Sequence, residues 1–202
     1  SKEMPWPGSR CGWIEVYNRQ RDPMFATYVQ SILNAKMLEV CSTTLPQIVM
    51  PRIKSHPLYM VHLKERIRRY ERYSNIAYNI MKDVKGVLVN RTNGAFYMSV
   101  VFEEGVLNHK QSLPIANNEV RAIVERLVTG SGVQPDKRFV YHLLAATGIC
   151  VVPLSSFATE LQGFRVTLLE AEEEKFVAIF NTIAENIKDY LNSDQSCPRC
   201  LC

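Results

Sequence analysis

The sequence predicts a mixed α/β or α+β fold, and three observations predict it. Apolar residues recur at helical spacing in some segments and form short β-branched or aromatic runs in others. The chain has 202 residues and is 47% hydrophobic, which is enough for one large core or two small ones. One helical pattern, beginning at His56-Pro57, is longer than a single small core needs, so we expect it to bridge two domains.

The first part of the chain predicts one strand followed by helices. Residues 10–17 carry aromatic and β-branched side chains and predict a strand. Asp22 can cap a helix and Pro23 suits its first turn, so a helix is expected from there to about Cys41. A shorter helical or irregular piece is expected over 46–54, and the long helix runs to about Lys82.

The rest of the chain alternates strands and helices. The predicted strands cover residues 86–89, 95–102, 149–153 and 164–169. The predicted helices cover residues 120–128, 138–147 and 171–191. Gly148 is expected to stop the second of these helices, because glycine adopts the left-handed conformation that ends many helices.

The charge pattern favours a cytoplasmic protein without a nucleic-acid or membrane partner. The net charge is only +4, and charged residues make up 22% of the chain. No apolar run approaches the roughly 20 residues that cross a bilayer, and the first residues lack the apolar centre of a signal peptide. The basic stretch at residues 64–73 is interpreted as a solvated helix face, with Glu65 pairing to Arg68 and Arg69.

The six cysteines fall into two groups. Cys11, Cys41 and Cys150 stand singly in apolar surroundings and predict reduced, small core residues. Cys197, Cys200 and Cys202 cluster at the end, where a Cys-x-x-Cys spacing suits a metal or a redox pair. Because no second Cys/His pair has zinc-ligand spacing, we expect an unstructured tail and no metal site.

The opening residues carry the most specific motif. A Ser1-Lys2 pair is followed by Pro7-Gly8-Ser9-Arg10-Cys11-Gly12-Trp13. This pattern resembles the active-site signature of class I/II pyridoxal-phosphate (PLP) aminotransferases. The resemblance implies that Lys2 is the catalytic lysine that binds PLP covalently and that Arg10 binds the cofactor phosphate. The residue types suit these roles, since an amine condenses with the PLP aldehyde and a guanidinium matches phosphate oxygens.

Two later segments are similar to the same family. Residues 93–97 resemble its Gly-Ala-Phe-Tyr stretch, and residues 148–157 with 163–168 resemble its Gly-Ile-x-Val-x-Pro block and the arginine strand that follows. The resemblance implies that Arg165 binds the substrate α-carboxylate, for which a bidentate guanidinium is well shaped. Leu154 and Ala158 depart from the family pattern, which has glycine at both positions, and this puts the substrate class in doubt.

The resemblance implies the C-terminal part of a fold-type-I PLP-dependent transferase. Residues 1–56 would end the large cofactor domain, 57–192 would form the bridging helix and α+β small domain, and 193–202 a disordered tail. The implied protein is a homodimer that moves an amino group between an amino acid and a 2-oxo acid. The chain would be a fragment of it, inactive alone. Another PLP reaction, such as that of a lyase or decarboxylase, and a non-catalytic aminotransferase-like regulatory domain stay open as alternatives.

Overall fold

The computed structural model describes residues 3–130 and 132–194. Contacts between α-carbons divide the chain into two compact units, one reaching to Lys64 and the other beginning at Glu65. The division falls within the long helix, whereas the sequence suggested a boundary at residues 56/57. The assignment of residues 1–56, 57–192 and 193–202 to domains stays a prediction.

The first unit consists of helices and irregular chain. Its helices are α1 (Pro23–Met37), α2 (Thr44–Lys54) and the beginning of α3 (Tyr59–Met81). Asp22 caps α1 as expected, because its side chain accepts hydrogen bonds from the backbone N–H groups of Met24 and Phe25. The helix ends at Met37, short of Cys41.

The predicted strand over residues 10–17 is wrong. These residues have no regular secondary structure, and Ile14 and Tyr17 are about 70% exposed (72% and 70%). A strand needs a hydrogen-bonded neighbour, and the described part of the first unit contains no β-strand that could pair with these residues. The β-forming composition of the stretch is therefore not sufficient to make it a strand.

The second unit is an antiparallel sheet covered on one face by helices. The strands β1 (Val87–Val89), β2 (Tyr97–Phe102), β3 (Val152–Pro153) and β4 (Gly163–Thr167) lie in the order β1-β2-β4-β3. The helices are the remainder of α3, α4 (Asn118–Val128), α5 (Pro135–Thr147) and α6 (Glu173–Asn192). Gly148 ends α5 with a φ of 76°, as the sequence predicted.

The core of the second unit lies between the sheet and helices α3, α5 and α6. Alternate residues of β2 and β4 point into it, and the following side chains are almost wholly buried there: Ala77, Met81, Met98, Val100, Phe139, Leu143, Phe164, Phe176, Phe180, Ile183 and Ile187. The residues between them on β2 and β4 belong to the opposite, more open face of the sheet. This alternation places Tyr97 and Arg165 on the open face.

Two predictions about surface residues need correction. Cys41 and Cys150 are exposed rather than in a core, because both lie in connecting chain outside helices and strands. Glu65 makes no ion pair with Arg68 or Arg69 within the described residues. Instead Arg69 donates to the backbone carbonyl of Glu170, 101 residues along the chain.

Candidate active site

Arg10 lies at the end of a short 3-10 turn, Pro7–Ser9. Its backbone is left-handed, with φ 51° and ψ 51°, and its Nη1 donates to the carbonyl of Pro7 at 3.2 Å. Among the described residues, no atom other than those of the chain neighbours lies within 4 Å of a Cβ built on Gly8 or Gly12. Packing among the described residues therefore gives no steric reason for glycine on either side of Arg10.

A basic cleft opens beside Arg10 in the first unit. Its volume is about 640 Å³, and its lining includes the cations Arg10, Lys36 and Lys54 and one carboxylate, Glu39. Lys36 forms an ion pair with Glu39 and Lys54 forms one with Glu3, and the ammonium of Lys54 also lies 4.6 Å from the ring centroid of Trp13. Among the described residues Arg10 is then the lining cation without an ion pair, and its charge suits an anionic group. The volume is within the range of cofactor sites.

Lys2 lies outside the described residues, as do Cys197, Cys200 and Cys202. The next residue, Glu3, is fixed by two side-chain contacts. Glu3 accepts a hydrogen bond from the hydroxyl of Tyr59 and lies 3.1 Å from the ammonium of Lys54. The hydrogen bond from Tyr59, reinforced by that from Lys54, lowers the pKa of Glu3 below its ordinary value.

Arg165 lies in the middle of β4, half-buried on the open face of the sheet. Its guanidinium carbon is 4.4 Å from the ring centroid of Tyr97 and 4.3 Å from that of Phe157. Among the residues that the structure describes, no carboxylate forms an ion pair with it. Two aromatic rings thus hold the guanidinium in place, while its N–H groups make no hydrogen bond to the described residues and can donate to a ligand.

The three sequence segments that resemble the aminotransferase motifs therefore divide between the two units. Tyr97 comes from the second motif, and Phe157 and Arg165 from the third, and the structure brings these side chains together. The strand register brings these motifs together, because Arg165 pairs with Ser99 on β2 and with Val152 on β3. The first motif, with Arg10, belongs to the other unit.

The two departures from the family pattern have different structural consequences. Leu154 is buried, and its Cδ1 lies 2.9 Å from a Cβ built on Gly163, so it fills space beside that glycine. Ala158 has φ 53° and ψ 41°, a left-handed conformation that favours glycine. The departure at residue 158 therefore strains the loop that follows Phe157.

Asp136 is a buried polar residue near the candidate site that the sequence motifs do not include. It is wholly buried at the start of α5, and its carboxylate accepts hydrogen bonds from the hydroxyl and backbone N–H of Ser155 and from the backbone N–H of Gly163. The available signal was the Pro135-Asp136 pair, because aspartate is typical of a first helical turn. That signal predicts a helix start but not the contacts with Ser155 and Gly163.

Known proteins similar to this chain are aminotransferases. No family model matches it. A Methanocaldococcus jannaschii protein named an uncharacterized aminotransferase is 54% identical over 193 residues, which are 96% of this chain and 44% of that protein. A probable mitochondrial alanine aminotransferase from Dictyostelium discoideum is 25% identical over 190 residues, 92% of this chain and 32% of that protein.

The fold has a solved counterpart. Aspartate aminotransferase from Rhizobium meliloti matches with a TM-score of 0.55 and 20% identity, over 83% of this chain and 36% of that chain. The chain thus spans less than half the length of the proteins it matches. The family resemblance stated from the motifs is confirmed: over most of its length this chain is similar in sequence to proteins named aminotransferases, and its fold matches part of that of an aspartate aminotransferase.

Proposed function

We propose that the protein carrying this chain is a PLP-dependent aminotransferase that moves an amino group between an amino acid and a 2-oxo acid. The observation that carries the proposal is the state of Arg165. A half-buried guanidinium held by Tyr97 and Phe157, without a carboxylate partner among the described residues, suits the carboxylate of a small substrate.

Arg165 is well suited to bind a carboxylate. The rings of Tyr97 and Phe157 restrict the rotamers of its long side chain, so little additional side-chain entropy is lost when a ligand binds. Its N–H groups lie in the guanidinium plane and can meet both oxygens of a carboxylate. Amino acids and 2-oxo acids share that carboxylate, so one arginine can serve both substrates.

The basic cleft fits the cofactor implied by the family. Arg10 would bind the phosphate, because among the described residues it is the lining cation without an ion pair, and the amine of Lys2 would hold PLP covalently. When bound, PLP withdraws electrons from the substrate α-carbon. The amine of Lys2 would take the proton from that carbon.

The oligomeric state and the cellular location stay predictions. We expect a homodimer in the cytoplasm, although the Dictyostelium relative is named mitochondrial. No helix within residues 3–130 and 132–194 combines the length and apolar character of a membrane span. Product analysis separates amino transfer from the alternatives, because a lyase would release ammonia, a decarboxylase CO₂, and a regulatory domain would bind without turnover.

The direct test replaces Arg165 by lysine in the complete protein that carries this chain. We expect the KM for amino acid and 2-oxo acid to rise by roughly 30- to 1,000-fold, because one charge-assisted, bidentate contact is worth about 2–4 kcal/mol. Arg69→Lys is the matched control, since Arg69 also lies over two rings, those of Tyr70 and Tyr73. Equal KM values for wild type and Arg165→Lys would contradict the proposed role of Arg165.

A further inference from the structure

We propose that Asp136 is a positioning residue, which holds Phe157 against the Arg165 guanidinium and so sets the geometry of the carboxylate site. The inference rests on the proposed function, because it assigns Asp136 a part in substrate binding through Arg165. Asp136 itself lies in a different element, at the start of α5.

One buried carboxylate joins three segments of the second unit. The Oδ2 atom of Asp136 accepts from the backbone N–H of Ser155 at 2.8 Å and from that of Gly163 at 3.4 Å. Its Oδ1 atom accepts from the hydroxyl of Ser155 at 2.7 Å. Its own backbone N–H donates to Oε1 of Gln162 at 3.2 Å. The start of α5 is thereby tied to the 3-10 turn at Leu154–Phe157 and to the start of β4.

Both tied segments lead directly to the carboxylate site. Ser155 lies in the same single turn as Phe157, and Gly163 begins the strand that carries Arg165. Asp136 therefore fixes the backbone on each side of the contact between the Phe157 ring and the guanidinium. The loop between them is otherwise weakly fixed, because Phe157 and Leu161 are both exposed.

The hydrogen bonds to Asp136 stabilise its buried carboxylate. The side chain has no ion pair in the part of the chain that the structure describes, so its buried charge is stabilised by the N–H and O–H donors and by the amino end of α5. Losing the donors would leave a buried charge unsatisfied, which is costly. The loop and strand are therefore held in one arrangement rather than several.

Two substitutions at this position separate positioning from simple structural support. Asp136→Ala removes all three acceptor contacts and leaves the N–H groups of Ser155 and Gly163 without their partner. Asp136→Asn can keep them, because the amide oxygen can accept from both N–H groups while the amide nitrogen donates to the Ser155 hydroxyl. Ser155→Ala is a milder variant that removes only the hydroxyl contact.

The experiment compares KM and kcat of these variants and of Arg165→Lys, all made in the complete protein that carries this chain. We expect Asp136→Ala to raise KM for the amino acid by about tenfold, Asp136→Asn to restore it to within about threefold of wild type, and Ser155→Ala to raise it about threefold. A purely structural role would lower the fraction of active enzyme, and with it apparent kcat, but would leave KM unchanged.

The outcomes separate this inference from the proposed function. An unchanged KM in Asp136→Ala, with a raised KM in Arg165→Lys, would overturn the role of Asp136 and leave that of Arg165 standing. An unchanged KM in Arg165→Lys would overturn both. If Asp136→Ala does not fold, Ser155→Ala decides, since an unchanged KM there overturns the inference and a raised KM supports it.

Discussion

Ala158 shows how a single residue can carry strain beside a functional contact. It directly follows the turn that ends at Phe157, and its φ of 53° places a Cβ in the left-handed region. For residues other than glycine, this conformation costs about 1–2 kcal/mol. The family pattern has glycine here, so the alanine is a local cost that the rest of the second unit offsets.

We therefore expect Ala158→Gly to stabilise the protein by about 1 kcal/mol, because glycine adopts this conformation without steric strain; the gain is reduced by the greater freedom of glycine in the unfolded chain. Chemical unfolding followed by circular dichroism measures the change. Ala178→Gly, on the exposed side of α6, is the matched control and should destabilise by about 1 kcal/mol. Destabilisation of equal size at both positions would contradict strain at residue 158.

His142 is a second residue whose surroundings set a measurable property. It lies in α5 with its side chain buried, and its Nδ1 accepts from the backbone N–H of Leu113 at 3.4 Å. Burial, and then the neighbouring charge of Arg138, lower the pKa of His142 to about 4. The unfolded chain has the ordinary value of 6.5 and so binds the proton more readily than the folded one.

The contribution of His142 to the free energy of unfolding is therefore full above pH 6.5 and is lost as the pH falls toward 4. Between pH 7.5 and pH 5 the loss should be about 2 kcal/mol. Urea unfolding at both pH values tests this in wild type and in His142→Asn, which should lose that much less. His109→Asn, an exposed histidine, serves as the control. An identical pH dependence in wild type and His142→Asn would contradict the assignment.

At the scale of elements, the contact between β2 and β4 depends on one glycine. Gly163 pairs with Val101, and a Cβ built on it would lie far inside van der Waals contact of the Val100 carbonyl oxygen. The clash is with backbone, which cannot rotate away as a side chain can. Any larger residue must therefore push the start of β4 away from β2.

We expect Gly163→Ala to destabilise the protein by about 3 kcal/mol or more, because overpacking of this kind shifts backbone. Gly130→Ala is the control, since the nearest atom to a Cβ there is 3.5 Å away on the Val133 side chain. Differential scanning calorimetry of the two variants gives the comparison. Equal melting temperatures would contradict the close approach of β2 and β4 at Gly163.

Elements with local signals could be predicted from the sequence, and those that depend on a neighbour could not. Asp22 and Gly148 mark helix ends through their own side chain or backbone, and both predictions are confirmed. The strand expected over residues 10–17 is absent, because strand formation needs a partner strand that a propensity pattern does not reveal.

At the scale of the whole molecule, the two units differ in how much core they contain. The second unit has a continuous core of buried side chains from its strands and helices. In the first unit the described apolar side chains are mostly exposed, including Trp13, Met24, Tyr28 and Leu38. The relatives are longer proteins, of which this chain spans 44% and 32%.

The sequence could propose only those residues of the candidate site that stand in local motifs. Lys2, Arg10 and Arg165 stand in short motifs whose residue types match the chemistry, and the sequence alone singled them out. The contacts of Tyr97 and Phe157 with Arg165 arise from strand register. The hydrogen bonds of Asp136 join segments 19 and 27 residues apart, a relation that no local pattern records.

The most direct test of PLP chemistry is to map the cofactor's attachment point. The complete protein that carries this chain is reduced with borohydride and digested, and its peptides are examined by mass spectrometry. Because the family resemblance implies that Lys2 is the covalent anchor of PLP, we expect a pyridoxyl group on the peptide that contains Lys2 and on no other lysine. No adduct, or an adduct on a different lysine, would contradict that role for Lys2.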